Sequence, residues 1–410
     1  MRIKLNKKLL LLFAPILIIN ILFINLIVLS KNKSYSQQID KPQNIQQFAK
    51  NILKQCEQSN YRPGCYDKII PLLMDQLTME ETFSVTKIVQ ANDKKYPYCH
   101  VLGHELSASE VRRDPENWKK VVSRCPSGTC SNGCLHGGFQ ERFRKESLST
   151  QAEINQVIPD LKAVCEKREA WDPTPLEQGS CYHALGHLTM YITDATITKA
   201  IPICDEIAIK DDGRDLRQVC YDGAFMQLFQ PLDPEDFALA RGKQATKENI
   251  NDFCGQHTPL AQASCINESW PLFLNEIKTP TGLEKHCTMV VDPSLQKRCY
   301  ESLFYILTVQ FEFDSNKIGQ FCNNLPQTLQ SSCYATSATR FIETDFINIP
   351  KAVALCKMTS NVTTQSACYN ELIKNTTFSF HPNSEEAKAT CDALPTPWKE
   401  KCSQKINYDL

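Results

Sequence analysis

Glycine is the first shortage, with 14 residues in a chain of 410. β-rich folds place glycine at their tight turns, so this scarcity argues against them. An excess of one charge is missing too. Lys and Arg total 45 against 46 Asp and Glu, a formal net charge of −1. No basic stripe stands out beyond the N-terminus, which argues against a nucleic-acid partner. Several reactive signatures are also absent. There is no Cys-x-x-Cys-His for covalent c-type haem and no Cys-x-x-Cys for thioredoxin-like redox chemistry. A phosphate loop, a dinucleotide fingerprint and a Gly-x-Ser-x-Gly elbow are all lacking.

Cysteine is abundant and periodic. Of 20 cysteines, ten fall at 65, 99, 134, 181, 220, 265, 299, 333, 368 and 402. Their spacings are 34, 35, 47, 39, 45, 34, 34, 35 and 34 residues. A period near 34 is the length of one two-helix repeat. The spacing therefore predicts an all-α fold, an α/α solenoid of about ten two-helix repeats, each stapled by a disulfide. The segment EINQVIPDLKAVC supports helices, since Ile154, Val157, Ile158, Leu161 and Val164 recur at three and four. The copy length is similar to that of tetratricopeptide and Sel1-type repeats, although a cysteine frame is no part of their signature.

An even cysteine count in an exported chain reads as disulfides. The pairs expected within hairpins are Cys56–Cys65, Cys125–Cys134, Cys165–Cys181, Cys204–Cys220, Cys254–Cys265, Cys287–Cys299, Cys322–Cys333, Cys356–Cys368 and Cys391–Cys402. Cys99 and Cys130 remain, and join as a staple between neighbouring repeats. Cys130 and Cys134 are the two that could exchange partners. A competing reading makes Cys125, Cys130, Cys134 and His136 a zinc site, but such thiols oxidise outside the cytoplasm.

The N-terminus suggests export. Residues 1–8 carry Arg2, Lys4, Lys7 and Lys8, and residues 9–30 are apolar apart from Pro15, Asn20, Asn25 and Ser30. That length matches one bilayer, and the positive flank places the remainder outside the cytoplasm. The expectation is a single-pass membrane protein with a periplasmic or extracellular bulk, held by a signal anchor. The alternative is a cleaved signal peptide ending near Ser34 and Ser36. Residues 31–50 read as a polar tether, 51–240 as N-terminal repeats and 241–410 as C-terminal structural repeats that scaffold or bind a protein partner. Asn267, Asn361 and Asn375 fit the glycosylation pattern.

Histidine concentrates where chemistry is expected. Four successive copies read CHVLGHE (99–105), CLHGGFQE (134–141), CYHALGH (181–187) and CYDGAFMQ (220–227). They alternate as an internally duplicated pair. Residues four apart share a helix face, so His100 with His104, and His183 with His187, each offer two nitrogens to one side. The next copy lies roughly 10 Å away, within side-chain reach. Half one would supply His100, His104 and His136, and half two His183, His187 and Asp222. Three imidazoles suit zinc or copper, and two with a carboxylate suit iron(II) or zinc. The expected cofactor is thus a divalent transition metal: zinc, iron or copper. Gly103 and Gly186 cost about 1 kcal/mol each inside a helix, which close helix approach would justify. Spacing leaves one shared centre or two open.

Five of the eight histidines fall in these copies, while CINESW, CYESLF, CYATSA, CYNELI and CSQKIN contain none. His257, His286 and His381 lack partners and read as ordinary residues. Glu105 and Glu141 are the candidates for a general base or bridging ligand. His100-x-x-x-His104 is not the metalloprotease motif, because its glutamate follows the second histidine. Helical-repeat hydroxylases with a His-Glu di-iron centre resemble the chain only in His104-Glu105, so no role carries over. The expected function is an extracytoplasmic metalloprotein, either a metal-dependent enzyme or a non-catalytic metal binder, with a metal-free interaction scaffold as the remaining alternative.

Overall fold

The computed structural model describes residues 41–408 apart from 97, 127–128, 131–132, 144–149, 169–170, 211–212 and 232–233. Regular structure among these residues is helical, with two isolated β-bridges, Arg168–Trp171 and Ile209–Asp215. The expected α/α solenoid forms. Helix starts are set locally. Thr78, Thr150 and Thr174 each close a capping box with the glutamate three residues on, satisfying amides the helix leaves unpaired. Pro175, Pro259 and Pro293 occupy first-turn positions, where a missing N–H costs nothing.

All ten expected disulfides are present, and no cysteine is free. Nine of them close hairpins across 9 to 16 residues. Cys99–Cys130 spans 31 residues and crosses between repeats. With Cys125, Cys130 and Cys134 all oxidised, the competing thiolate zinc site is excluded.

A second lock accompanies the staple in three copies. The tyrosine after the second cysteine is buried and donates to the polar residue after the first. Tyr182 reaches Glu166 at 2.7 Å, Tyr334 reaches Asn323 at 3.1 Å, and Tyr221 bonds Asp205. Each of these three disulfides thus carries a polar clasp beside it, which fixes the rotation of one helix against the other.

The inner helices are α1 (His100–Arg113), α2 (Gly133–Phe143), α3 (Pro175–Ile192), α4 (Arg217–Phe229), α5 (Pro259–Glu268), α6 (Pro293–Gln310), α7 (Gln327–Thr344) and α8 (Val362–Ser379). Each packs on the next, and the stack curls until α8 meets α3. The Lys87 ammonium likewise lies 5.8 Å from the Phe346 ring centre. Early and late repeats therefore meet.

Glycine brings the inner helices together at the histidine copies. A Cβ on Gly137 would stand 2.0 Å from the His104 carbonyl oxygen, and one on Gly223 1.9 Å from that of His183. One on Gly186 would meet the Cys220 oxygen at 2.0 Å, and one on Gly103 the Cys134 nitrogen at 3.0 Å. The backbones of α1 and α2, and of α3 and α4, are in direct contact. This is the close approach expected for Gly103 and Gly186.

Three expectations change. The single-pass membrane reading is corrected, because no helix among the described residues is long and apolar enough to cross a membrane. Residues 1–8, 9–30 and 31–40 lie outside the described residues. The disulfides fit an extracellular location. The polar tether is corrected over 41–50, which belong to the helix Lys41–Cys56. Ile45, Phe48, Ala49 and Ile52 recur at helical spacing there and pack into the core. Asn267 and Asn375 are buried within α5 and α8, so neither offers a glycan an accessible amide.

Gly137→Ala and Gly223→Ala should each destabilise the fold by about 3 kcal/mol or more, because the obstructing atoms are backbone. Gly179→Ala, in α3 and with open space around it, should be neutral or gain up to about 1 kcal/mol. Chemical denaturation of the three variants checks the contrast.

Candidate metal centre

His100 and His104 stand one turn apart on α1, His136 on α2, and His183 and His187 one turn apart on α3. The five rings form one cluster with His136 at its middle. Its ring centre lies 4.8 Å from His100, 5.2 Å from His104, 5.5 Å from His183 and 5.3 Å from His187. His100, His104 and His136 each present a ring nitrogen within 4.8 Å of the others, a set able to hold a metal ion. His183 and His187 flank that triad through His136. Of the two arrangements left open, the geometry is a single contiguous cluster.

The outer edge of each pair is held by oxygen acceptors. His100 Nδ1 donates to the Cys130 carbonyl at 3.2 Å, and His104 Nδ1 to Gln140 Oε1 at 3.0 Å. His187 Nδ1 donates to Gln227 Oε1 at 2.7 Å, and the Val219 backbone bonds the His183 ring. A proton on Nδ1 leaves Nε2 as a bare lone pair. Those lone pairs face each other, His100 Nε2 to His104 Nε2 at 3.0 Å and His183 Nε2 to His187 Nε2 at 3.3 Å. Two acceptors in that position repel unless a cation lies between or beside them. Two nitrogens about 2.0–2.1 Å from one tetrahedral ion stand roughly 3.3 Å apart, so each pair already has the edge of a coordination polyhedron. His136 Nδ1 is buried and has no hydrogen-bond partner.

A proton does not resolve the conflict at neutral pH. Burial holds His100, His136 and His183 well below the ordinary imidazole value, and neighbouring imidazoles add to the effect. Burial brings His104 down to about 3 and also lowers His187. Five neutral rings therefore meet in one place, in the protonation state that metal ligation requires.

Asp222 does not take the place on α4 that His136 takes on α2. Gly137 opposes His104, whereas its counterpart Gly223 opposes His183, the counterpart of His100. Helix α4 is thus shifted by about one turn, roughly 5 Å. Asp222 turns to Ser264 and Glu268 on the following helix. Burial pushes the Asp222 carboxyl up to about 6, and burial, with the neighbouring Asp222 adding to it, raises Glu268 well above its usual range. The carboxylate expected to complete half two is therefore spent elsewhere.

Glu105 and Glu141 are both drawn to Arg112, at 2.5 and 3.1 Å. An ion pair to one shared guanidinium is what the structure gives them, and neither is placed as a base. His257 and His286 behave as ordinary residues. His257 packs edge-on against Phe225, and His286 bonds the Ile266 carbonyl. The residues sequence reasoning missed are Gln140 and Gln227, which orient His104 and His187. Both lie inside the quoted copies, and the signal was an amide four residues beyond His136 and five beyond Asp222.

Compared with known proteins, the chain matches no family model, no curated protein and no solved structure.

The lowered imidazole values set a pH dependence in the metal-free protein. In the unfolded chain these rings take up protons near pH 6.5, whereas in the folded state they resist. The unfolded state binds more protons, so stability rises with pH through this window. It should be fully present above about 6.5 and decline as pH falls toward 3, the value His104 retains in the fold. Thermal unfolding at pH 7.5, 6.0 and 4.5 checks this. His104→Gln with His187→Gln should flatten the curve, and a wild-type midpoint independent of pH would contradict the burial of neutral rings.

Proposed function

We propose that the protein is an extracellular metalloprotein that holds a divalent transition ion in its closed interior, on His100, His104 and His136. His183 and His187 border that set through His136 and offer a second pair of nitrogens beside it. The observation that carries this reading is the opposed pair of Nε2 atoms, 3.0 Å apart in a buried site, each ring oriented from behind by an oxygen acceptor. Oxygen acceptors behind ligating imidazoles are a common feature of metal sites, where they fix the tautomer and raise basicity. A purely structural role for histidine gives no reason to point two lone pairs at one another.

The donor set bears on the metal. All the nitrogens are neutral imidazoles, and among the described residues no carboxylate joins His100, His104 and His136 once Asp222 is turned away, the acid beside the cluster being Asp236, which acts on His187. The two-histidine, one-carboxylate arrangement typical of open iron(II) sites is not assembled, so zinc or copper fits better than iron. Three imidazoles around one ion leave a fourth position for water or a small molecule, the pattern of catalytic rather than structural zinc. His104 and His183 keep part of their surface open, which supports access from the interior. A metal-dependent enzyme is therefore favoured over a closed store.

Elemental analysis of the oxidised protein, purified without chelator, tests the reading. The wild type should carry zinc or copper at one or more ions per chain. His136→Ala should lose most of it, because this ring is shared by both pairs, and His104→Ala should weaken binding strongly. His257→Ala should match the wild type. Absence of bound metal in a folded, fully oxidised wild type, even after dialysis against zinc or copper, would overturn it.

A further inference from the structure

An ion on His100, His104 and His136 accounts for three of the five clustered imidazoles. Two nitrogens bound to one ion at about 2.0–2.1 Å stand at most about 4.2 Å apart. Among the described residues, the set of three whose ring nitrogens come within 4.8 Å of one another is His100, His104 and His136. His183 and His187 fall outside that set, although their ring centres lie 5.5 and 5.3 Å from that of His136. One ion on the triad therefore leaves the second pair unused.

That pair is prepared in its own right. Helix α3 starts on the capping box of Thr174 and Glu177 and carries the two rings one turn apart. Gln227, 2% exposed, accepts from His187 Nδ1 through Oε1 at 2.7 Å. The Val219 backbone, from the same helix α4, bonds the His183 ring. The two Nε2 atoms are left facing each other, 3.3 Å apart. With metal bonds of about 2.0–2.1 Å, that separation corresponds to an angle of roughly 107°, close to tetrahedral. A hydrogen bond between the two Nε2 atoms would need a proton on one of them. That ring would then lose the N–H it gives to Gln227 or to Val219.

The surroundings of the pair favour a cation. Tyr191 stands one turn beyond His187 on α3, and its hydroxyl bonds the buried carboxylate of Asp236. Negative charge is thus held on the His187 side, and its effect reaches the His187 ring. Access differs between the two groups as well. His183 keeps part of its surface open, whereas His100 and His136 are buried.

We propose that His183 and His187 form a second metal position, so that the cluster takes two ions, one on either side of His136. The first ion is held by three imidazoles. The second is held by two, and its remaining positions are open to water or to an oxygen ligand. Loss of a mere outer-shell partner weakens a metal site about 10–100-fold, so one imidazole fewer makes the second ion at least about tenfold weaker. The second position is therefore the exchangeable one. This rests on the metal reading above, and counting ions separates the two.

Zinc is the probe. The oxidised wild type is stripped with chelator, dialysed and titrated with zinc by calorimetry, and the bound zinc is counted. Two ions per chain should enter in two steps, the second at least about tenfold weaker. His183→Gln with His187→Gln should keep the tight step and lose the weak one. His100→Gln with His104→Gln should lose the tight step and keep a weak ion. With copper(II), two ions flanking one imidazole should broaden each other's paramagnetic resonance signal, and the one-ion variants should give sharp signals. A single ion in the wild type would overturn the second position and leave the metal reading standing, and this count decides even where a variant fails to fold. Two ions that persist in the His183→Gln, His187→Gln protein would also overturn it, because the second ion would then lie elsewhere. No zinc or copper on a folded, oxidised wild type would overturn both readings.

Discussion

Everything in this architecture depends on the covalent pin at the hairpin loop. A solenoid has no single core, and each repeat contacts only its neighbours. Slight freedom in the angle of one hairpin would accumulate around the array and leave its ends unregistered. Closing a loop of 9 to 16 residues removes unfolded-state entropy worth about 3 kcal/mol in the chain-entropy model. The geometric consequence matters as much as the energy. Cys165–Cys181 and Cys204–Cys220, each with its tyrosine clasp beside it, fix both the spacing and the rotation of the hairpins. Curvature then becomes a property of the repeat, and α8 returns to α3.

Closure changes what the concave face can do. On an open rod, the positions just after each second cysteine would line a solvent-filled trough. Curled, the same positions look at one another, and water is partly excluded. Imidazoles that would titrate near pH 6.5 in the unfolded chain are held neutral. The guanidinium of Arg340 is buried as well, with the Tyr305 ring beneath it and the Glu343 carboxylate one turn along as its counter-charge. Imidazole nitrogens crowded against one another are unfavourable taken alone, and they become reasonable with the proposed cation on the nitrogens. A scaffold under selection for stability alone would have filled these positions with carbon. Natural interiors retain unsatisfied polar groups mostly where binding or reaction completes them.

Much of this was legible in the residues. The cysteine frame predicts the repeat, the hairpin pairs and the Cys99–Cys130 cross-link, because loop lengths restrict which thiols meet. The histidine copies predict which helices carry the cluster, because i and i+4 share a face. Two things were not legible. The relative slide of neighbouring helices leaves no local mark, so Asp222, matched to His136 by alignment, was expected beside His183 and His187. The curl of the array is a sum of small angles. Arg340 and Tyr305, more than a hundred residues from the last clustered histidine, therefore looked like surface of a structural half. The expected membrane anchor had a different origin. It rested on the basic flank 1–8 and the apolar run 9–30, both outside the described residues, and no helix among the described residues is long and apolar enough to take that role.

The slide of α4 also explains why two halves that share a motif do not make two equal sites. In half one, Gly133 and Gly137 oppose His100 and His104, so His136 is carried to the level of both rings. In half two, Gly186 nests between the turn ends at Cys220 and Ala224, and Gly223 meets His183. That places Asp222 at the next seam, beside Ser264 and Glu268, with burial raising its carboxyl. Had the registers matched, half two would present two imidazoles and a carboxylate, and His136 would serve half one alone. With the shift, the second histidine pair has no third ligand of its own and turns back to His136. A duplication that could have produced a nitrogen site and a mixed site yields one contiguous group of five imidazoles, and under the proposed metal reading that donor set favours zinc or copper over iron.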